Sequence, residues 1–473
     1  MSKLKELYSS KSFRENGHAL IDLLGDYLEA IEKKSISKVI PFQEPDEAFS
    51  FWQNDFEKKE IDPISFFKTT IERSNHLHHP KYMGHQVSAP SPIAALSGVL
   101  TSVLNNGGAV YEMGLVNNPL EKVISKYLAT KIGFDENADG FLTSGGTLAN
   151  LTALLTARAK YSDVWENGTT KKMAVMVSEE AHYCIDRAAR IMGLGTEGII
   201  KVPTNDSFQL KTDELQSHFD NAKLADIHVF AIIGSACSTA TGSYDNLKVI
   251  GDFAEKNKIW FHVDGAHGGA VVFSGKYKYL VEGIEKSDSV AIDWHKMLLT
   301  PAITTSLIYR NGEETYSTFQ QKAQYLWDNS QSMEWYNSGK RTFECTKLMM
   351  SVKVYTIIKS YGTSIFEENV NYLYDLAREF ETLISVNSNF EIALSPQSNI
   401  VCFRLKIAKN GLSINEVNSK IRRFLLEEGE FYIVQTLIKD KVYLRVSLMN
   451  PTTELIHLKQ LLNKIEFMFY QKL

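Results

Sequence analysis

Apolar positions recur at helical spacing near the start of the chain. They are Ala19, Leu20, Leu23, Leu24, Tyr27, Leu28 and Ile31. An aromatic-rich patch follows, made of Phe49, Phe51, Trp52 and Phe56. This pattern predicts a helical segment over residues 1–75 with a large apolar surface. That surface would have to pack either on the rest of its own chain or on a second subunit.

Between residues 90 and 310, helical and strand-like stretches alternate. The helical stretches are 93–104, 120–132 and 148–161, and the short apolar runs are 173–177, 228–234, 259–263, 290–292 and 305–309. Short strands separated by helices predict an α/β fold with a mostly parallel sheet covered on both faces. Ligands bind such sheets beyond the carboxyl ends of the strands, so we expect the functional residues just after these runs.

The pattern changes after residue 345. Helical stretches at 347–361 and 365–383 precede strand-like runs at 399–405 and 442–448, with further helical segments at 413–427 and from residue 453. These elements predict a smaller α+β domain. We therefore expect three parts: an N-terminal helical segment over 1–75, a large domain over 76–345 and a small C-terminal domain over 346–473.

Composition and charge narrow the choice of partners. The chain has 473 residues, 44 % of them hydrophobic and 23 % charged, with a formal net charge of −5. Its Lys and Arg residues are scattered, so we expect no nucleic-acid partner. The polar start lacks the apolar core of a signal peptide, and no apolar run approaches the roughly 20 residues that span a bilayer, so we expect no membrane partner. Four well-separated cysteines favour reduced thiols and a cytoplasmic location: Cys184, Cys237, Cys345 and Cys402.

A glycine-containing turn precedes one predicted helix. In Thr143-Ser-Gly-Gly-Thr147, Gly145 and Gly146 let the backbone approach an anion, and the N–H groups at the helix start favour negative charge. The alternative is that Thr147 simply caps the helix. The segment has neither the Gly-Lys-Ser/Thr of a nucleotide-binding loop nor the glycine spacing of a dinucleotide fold.

Two strand ends carry the residues that a pyridoxal phosphate (PLP) enzyme needs. Asp264 ends the apolar run 259–263, and His295 and Lys296 follow the run 290–292. A lysine forms a Schiff base with the cofactor aldehyde, and a carboxylate keeps the pyridine nitrogen protonated so that the ring accepts electrons. Burial would raise the pKa of Asp264 unless a cation compensates, and a pyridinium N–H is such a cation.

Other interpretations of the polar residues are open. His262, Asp264 and His267 lie close in sequence and are metal-ligand types, as are His76, His78 and His79. Residues 262 and 264 share a strand face while 267 lies beyond the strand end, and no recognised ligand spacing is completed, so we favour no metal.

Two further residues are candidate site residues because they follow predicted strands. His182 follows the run 173–177, where it would stack on a planar ring or move a proton, although a lone histidine there is more often structural. Thr239 lies in a turn of small hydroxyl residues that leaves room for a flat ligand, although this turn also fits a simple polar loop.

Together these motifs resemble the PLP-dependent group II amino acid decarboxylases, which include glutamate, cysteine sulfinate, diaminobutyrate and aromatic amino acid decarboxylases. The resemblance runs from about His79 to Arg445. It is carried by His79-Pro-Lys-Tyr-Met, Thr143-Ser-Gly-Gly-Thr, Ala181-His-Tyr, Tyr244-Asp-Asn, His262-Val-Asp-Gly-Ala and His295-Lys-Met-Leu. It implies the aspartate aminotransferase-like fold (fold type I) and a homodimer with sites at the subunit interface, over which the N-terminal helices wrap.

The resemblance also implies roles for individual residues. Lys296 would bind the cofactor covalently, Asp264 would pair with the pyridine nitrogen and His182 would stack on the ring. The phosphate would be held by Gly146, Thr147 and His295, and the ring pocket would be lined by Thr239 and Ala266. Arg445 would bind a substrate carboxylate, for which the guanidinium offers two parallel hydrogen bonds.

The chain departs from the family in three places. His267 and Asp293-Trp294 border the pocket where other residue types are usual. The family also uses a mobile loop whose tyrosine returns a proton after carbon dioxide leaves; here Tyr325 or Tyr336 would serve, and we predict Tyr336. If neither tyrosine reaches the site, we expect oxidative deamination to an aldehyde or slow turnover.

Substrate choice rests on the residues after the His-Pro motif. His85 and Gln86, with His267, suit a polar side chain, and Tyr111-Glu112 resembles the glutamate and cysteine sulfinate branch. We therefore expect an acidic or polar amino acid: glutamate, aspartate, cysteine sulfinate or diaminobutyrate. An aromatic substrate is the alternative, with Trp294, Tyr111 and Trp327 as a second wall. Another PLP lyase or transaminase on this fold, and cofactor binding without turnover, remain further hypotheses.

Overall fold

The computed structural model describes residues 2–58, 62–319 and 333–473. The chain divides into two compact units. The smaller unit comprises Met1–His85, Glu379–Ala393 and Cys402–Leu473, and the larger unit comprises Gln86–Arg378 and Leu394–Val401. The three-part division with boundaries at residues 75 and 345 stays a prediction.

The helices and strands of the described residues follow the chain in a regular order. The α-helices are α1 Lys3–Leu7, α2 Ser10–Glu32, α3 Pro45–Phe56, α4 Pro63–Glu72, α5 Pro92–Leu104, α6 Asn117–Ile132, α7 Gly146–Tyr161, α8 Val164–Asn167, α9 Cys184–Ile191, α10 Leu215–Leu224, α11 Leu247–Asn257, α12 Met350–Tyr361, α13 Ser364–Ser385, α14 Ile414–Glu428 and α15 Leu455–Lys472. The strands are β1 Asp139–Thr143, β2 Lys172–Ser178, β3 Ile199–Val202, β4 Ile227–Ser235, β5 Trp260–Asp264, β6 Ser289–Asp293, β7 Thr305–Tyr309, β8 Phe390–Ile392, β9 Ile400–Leu405, β10 Val434–Ile438 and β11 Lys441–Ser447.

The larger unit is built on a seven-stranded sheet with the order β1-β7-β6-β5-β4-β2-β3. Neighbouring strands from β3 to β6 pair in parallel, whereas β7 runs antiparallel to both β6 and β1. The mostly parallel sheet and the fold type I architecture are therefore confirmed. Because β4, β5 and β6 are parallel neighbours, their carboxyl ends lie side by side, with Ser235 opposite Asp264 and Asp264 opposite Ala291.

Hydrophobic composition explains why these strands occupy the centre of the sheet. Every residue of β5 and β6 is buried, and helix α7 buries ten consecutive residues, Ala149 to Arg158. A strand that is covered on both faces has a continuous apolar sequence. This pattern predicted β5, β6 and β7. The helix α7 packs with β2, β4 and the end of β7 in one core cluster.

The smaller unit contains a four-stranded sheet with the order β10-β11-β9-β8. Strand β10 pairs antiparallel with β11, and β8 pairs antiparallel with β9. Helix α14 begins at a capping box in which Ser413 and Glu416 each bond the other's backbone N–H. The predicted helices and strands of the C-terminal region are thus present. Within the described part of the chain, no helix is both long and apolar enough to span a membrane.

Candidate active site

A cavity of about 280 Å³ lies within the larger unit, at the carboxyl ends of its central strands. Residues from the β1–α7 turn, the start of α9 and the segments after β4, β5 and β6 line it. Nine of the predicted site residues are among them: Gln86, Gly146, Thr147, His182, Thr239, Asp264, Ala266, His295 and Lys296. Residues up to 210 positions apart therefore meet at one edge of the sheet, where the strand order led us to expect them.

Asp264 lies at the end of β5, with 9 % of the residue exposed. The backbone N–H of Ala266 donates a hydrogen bond of 3.2 Å to its Oδ1. Burial raises the pKa of Asp264, and the nearby His182 and Lys296 oppose this rise. A carboxyl group in this setting is stabilised in its charged form by a cation placed against it.

Lys296 forms an ion pair with Asp293, a residue that the sequence analysis identified only as a departure from the family. Its Nζ lies 2.9 Å from Oδ2 of Asp293, whose side chain is 2 % exposed. Burial opposes the charged form of Lys296, but the ion pair with Asp293 outweighs burial and raises the pKa of Lys296. Burial likewise opposes the Asp293 carboxylate, and Lys296 and His295 lower the pKa of Asp293 below its usual value.

His295 and His182 line the same cavity as this ion pair. Nδ1 of His295 lies 3.0 Å from the carbonyl oxygen of Thr304, and its Nε2 lies 3.7 Å from Oδ2 of Asp293. His182 accepts a hydrogen bond at Nδ1 from the backbone N–H of Cys184, at 3.3 Å. Burial lowers the pKa of His182, while Asp264 opposes this shift. Burial thus favours a neutral imidazole at His182, a flat group that can stack on a planar ring.

The start of α7 forms a cradle for an anion. Gly145 stands at the N-cap with φ of +108°, and no side chain caps the helix, so the predicted alternative of a Thr147 cap is wrong. A Cβ on Gly146 would lie 3.1 Å from Cβ of Ala266 and 3.3 Å from Oδ1 of Asp293. Uncapped N–H groups, the helix dipole and a glycine that admits close approach together suit a phosphate group. The residues present therefore fit PLP.

A buried hydrogen-bond network behind the cavity was not expected from the sequence. Trp260 Nε1 donates to Ser289 Oγ at 2.8 Å, and this oxygen lies 2.9 Å from Nδ1 of His262. Nε2 of His262 lies 2.9 Å from Oδ1 of Asn150, whose Nδ2 donates to Sγ of Cys184 at 3.2 Å. Both Asn150 and Cys184 line the cavity. The only sequence signal for this network is that His262 shares a strand face with Asp264.

The hydrogen bonds of His262 and His267 are relevant to the alternative that these histidines bind a metal ion. Both ring nitrogens of His262 are engaged with protein side chains, and Nε2 of His267 lies 2.7 Å from Oδ1 of Asn399. Across residues 2–58, 62–319 and 333–473, no three or more His, Cys, Asp or Glu side chains are grouped to hold a metal ion.

The predicted catalytic tyrosine, Tyr336, forms contacts with Asn118 and Tyr111. Tyr336 accepts a 2.6 Å hydrogen bond from Asn118 Nδ2 through its backbone carbonyl, and its ring centroid lies 5.8 Å from that of Tyr111. It is not among the residues that line the cavity. Tyr325 and Trp327 lie outside the described residues. The role of Tyr336 stays a prediction.

The remaining two predicted residues belong to the smaller unit. Arg445 lies on β11 and is 8 % exposed, and burial lowers its pKa. The ring of His85 lies 5.8 Å from that of Tyr432, and burial together with Arg445 and Arg422 lowers the pKa of His85. Their contact with a substrate stays a prediction.

Comparison with known proteins agrees with this geometry. Residues 53–406 match the pyridoxal-dependent decarboxylase conserved domain. An aromatic-L-amino-acid decarboxylase from Bacillus atrophaeus is 25 % identical over 97 % of this chain and 95 % of its own length. An aspartate 1-decarboxylase from Aliivibrio fischeri is 28 % identical over 81 % of this chain and 78 % of its own length.

Solved structures agree on the fold. The crystal structure of Oryza sativa TDC with PLP and tryptamine superimposes with a TM-score of 0.89 at 19 % identity and covers 98 % of this chain and 99 % of that one. The matched domain covers well over half of the sequence and includes the whole lysine-containing cavity. The chain therefore belongs to the pyridoxal-dependent decarboxylase family, as a lyase with pyridoxal phosphate as its cofactor and an amino acid as its substrate.

Proposed function

We propose that the protein decarboxylates an acidic or otherwise polar L-amino acid to the corresponding amine, using PLP bound in the cavity at the ends of β4, β5 and β6. The observation that carries this proposal is the meeting of Lys296, Asp264 and His182 at one cavity, with the uncapped start of α7 beside them. When bound, PLP supplies an electron sink for the electron pair released as carbon dioxide leaves.

The residues of the chain bind and orient the reactants. Lys296 would hold the cofactor covalently through Nζ, and Asp264 would keep a proton on the pyridine nitrogen. His182 packs its neutral ring on the cofactor. The phosphate is held by Gly146, Thr147 and His295, and the walls beside the ring are formed by Thr239 and Ala266. Tyr336 returns the proton to the α-carbon.

The polar lining supports a polar substrate. Gln86 lines the cavity, and its amide Nε2 is buried and has no hydrogen-bond partner among the described residues. A buried donor without a partner costs about 1–3 kcal/mol, which a substrate with an acceptor on its side chain recovers. An apolar side chain leaves that cost in place, so the site discriminates against it. In this proposal Arg445 binds a substrate carboxylate, and His85, like Gln86, favours a polar substrate side chain.

An aromatic substrate is the second candidate, since the relative that matches nearly the whole chain is named an aromatic-L-amino-acid decarboxylase. One part of the expected aromatic wall is not available. Trp294 is fully buried, donates from Nε1 to Ser306 Oγ at 2.7 Å and packs on Phe273 and Phe366. It belongs to the core, and the expectation that it lines a wall of the pocket is wrong.

A second copy of the chain is the proposed partner. The larger unit exposes a group of large apolar side chains on and after α5: Leu96, Val99, Leu100, Val103, Leu104, Met113, Leu115 and Val116. Solvent-exposed apolar surface of this extent is typical of a protein interface. The cavity residues Ser144 and Thr147 are also exposed, which fits a site that a second subunit covers. None of the four cysteines, which all lie among the described residues, forms a disulfide, in keeping with the proposed cytoplasmic location.

A substrate panel tests the proposal. Purified protein with added PLP is given glutamate, aspartate, cysteine sulfinate, diaminobutyrate, tryptophan or tyrosine, and kcat/KM is measured from amine formation. We expect the highest value for one of the first four, and we expect Gln86→Leu to lower that value while sparing any aromatic activity. A preference for tryptophan or tyrosine in the wild type favours the second candidate. Keto-acid products without amine indicate a transaminase instead.

A further inference from the structure

The last residue of β6 is a carboxylate in the middle of the cofactor site. Asp293 lies between Lys296, whose Nζ is 2.9 Å from Oδ2, and the start of α7, where a Cβ on Gly146 would lie 3.3 Å from Oδ1. It therefore lies beside both the attachment lysine and the phosphate cradle.

Asp293 is fixed in place by the neighbouring strand. Its Oδ1 accepts a 2.5 Å hydrogen bond from Thr305 Oγ1, and the two residues are paired in register across β6 and β7. With one oxygen bound to Thr305 and the other to Lys296, the carboxylate has little freedom to turn. Lys296 is the longer and more flexible of the two partners, so it is Lys296 that has to move when the pair opens.

The charges around the pair favour its ionised form. The groups that act on Lys296 include Asp293, Asp264, Cys237 and His182, and those that act on Asp293 include Lys296, His295 and His182. The ion pair raises the pKa of Lys296 above its usual value despite burial. At neutral pH the lysine is therefore an ammonium ion bound to a buried carboxylate.

An ammonium ion cannot attack an aldehyde. Lys296 must first lose one proton to solvent, after which the Nζ lone pair forms a bond to the aldehyde carbon. The aldehyde oxygen then leaves as water, taking up one proton from solvent and one hydrogen from Nζ, and the nitrogen keeps one hydrogen and becomes positively charged. These steps need no further reactant. The first step, the loss of a proton from Lys296, removes the positive charge that the Asp293 carboxylate stabilises.

We propose that Asp293 controls cofactor capture: its carboxylate holds Lys296 as a bound ammonium ion beside the phosphate cradle, and each capture event has to break this ion pair. Asp293 is thus a positioning residue that acts through Lys296. The inference rests on the proposed attachment of the cofactor to Lys296.

The matched variant is Asp293→Asn, which keeps an oxygen for Thr305 and removes the charge. Without the carboxylate, no ion pair offsets the effect of burial on Lys296. A larger fraction of Lys296 is then the neutral amine at a given pH. A one-unit fall in the pKa of Lys296 raises that population tenfold. We expect cofactor-free Asp293→Asn to capture PLP at least about ten times faster than wild type at pH 7. Thr305→Val removes the other hydrogen bond without changing charge, and we expect it to stay within about threefold of wild type.

The experiment follows the absorbance of the lysine-bound cofactor after mixing cofactor-free protein with PLP, or with pyridoxal, from pH 6 to 9. Pyridoxal has no phosphate, so it separates an effect on the lysine from repulsion between Asp293 and the phosphate. Faster capture of both probes by Asp293→Asn supports the proposal. Faster capture of PLP alone, or equal rates in both proteins, overturns it.

Two further measurements keep the result interpretable. Thermal melting of each cofactor-free variant shows whether it is folded; if Asp293→Asn is not, Asp293→Ser, which also removes the charge, takes its place, and the wild-type profile is a further condition. The proposal requires its capture rate to rise about tenfold per pH unit up to the pKa of Lys296, and a flat profile from pH 6 to 9 overturns it. Borohydride reduction and peptide mapping identify the attached lysine. An adduct on another lysine overturns the attachment and this inference together, whereas an adduct on Lys296 with equal rates overturns this inference alone.

Discussion

Nε2 of His262 lies 2.9 Å from Oδ1 of Asn150, and this hydrogen bond joins β5 to helix α7 across 112 positions of sequence. The direction of the bond follows from its neighbours. Since Ser289 Oγ accepts the Trp260 indole N–H, its own hydrogen is free to point at Nδ1 of His262, which leaves the imidazole hydrogen on Nε2. Asn150 then accepts with Oδ1 and directs its NH₂ group toward Cys184 at the cavity.

The buried imidazole makes folding stability depend on pH. Burial lowers the pKa of His262 to about 3, whereas an unfolded histidine titrates near 6.5. Below pH 6.5 the unfolded chain binds the extra proton, so this contribution to stability is present above pH 6.5 and is lost as pH falls toward 3. We expect His262→Gln to reduce the loss of stability between pH 7 and pH 5 by about 2 kcal/mol.

The measurement is urea unfolding of the cofactor-free proteins at the two pH values. His228→Gln, which replaces an exposed histidine at the start of β4, serves as the control. An unchanged pH dependence in His262→Gln would show that the imidazole is not the group whose protonation destabilises the fold.

Gly146 is expected to be essential for cofactor affinity. A Cβ there would lie 3.1 Å from Ala266 and 3.3 Å from Asp293, so alanine would push apart the cradle and the end of β6. We expect Gly146→Ala to weaken PLP binding at least about tenfold in fluorescence titrations of the cofactor-free protein. Gly25→Ala is the control, because a Cβ at Gly25 in helix α2 meets nothing within 4 Å. Normal affinity in Gly146→Ala would place the phosphate elsewhere.

Removal of the Tyr336 hydroxyl is expected to change the product. If this hydroxyl returns the proton to the α-carbon, Tyr336→Phe should lower amine formation by about 100-fold and, in air, raise the share of aldehyde and ammonia, with dioxygen as the two-electron oxidant. Amine and aldehyde are measured together by mass spectrometry. Because Tyr336 packs on Tyr111 and is bonded to Asn118 through its backbone, the substitution leaves these contacts largely in place. An unchanged amine yield would assign the role to another group.

The exposed side chains of α5 are expected to lie in a subunit interface. Leu100 is 53 % exposed, and a buried charge at this position without a partner would oppose association. We expect Leu100→Glu to shift the protein toward a monomer in light scattering coupled to size-exclusion chromatography. The control is Leu224→Glu, since Leu224 ends α10 and is 86 % exposed. Equal masses for Leu100→Glu and wild type would place the interface on another surface.

The sequence predicted the strands that are apolar throughout and the residues directly after them. Strands β5, β6 and β7 could be found because both of their faces are covered, and the parallel order of β4, β5 and β6 brings Asp264 and Lys296 together. Strand β1 was missed because Asp139 and Gly140 interrupt the apolar pattern, although all five residues of the strand are buried.

Other features depend on contacts that no local pattern encodes. Asp293 appeared only as an unusual residue before His295, because its pairing with Lys296 and Thr305 arises from the turn after β6 and from the register with β7. The sequence places Trp294 at the pocket because its neighbours are there, but in the turn after β6 its indole packs on Phe273 and Phe366. The network of His262 and Asn150 joins distant segments and could not be read from spacing.

The most direct test of the account is the amine and carbon dioxide released from the amino-acid panel by wild type and by Lys296→Ala. Both proteins are supplied with PLP, and the two products are quantified in the same reaction. We predict equimolar amine and carbon dioxide from the wild type with one acidic or polar amino acid, and a loss of both products in Lys296→Ala. Comparable product formation by the two proteins, or a wild type that releases neither product from any amino acid, would contradict the account.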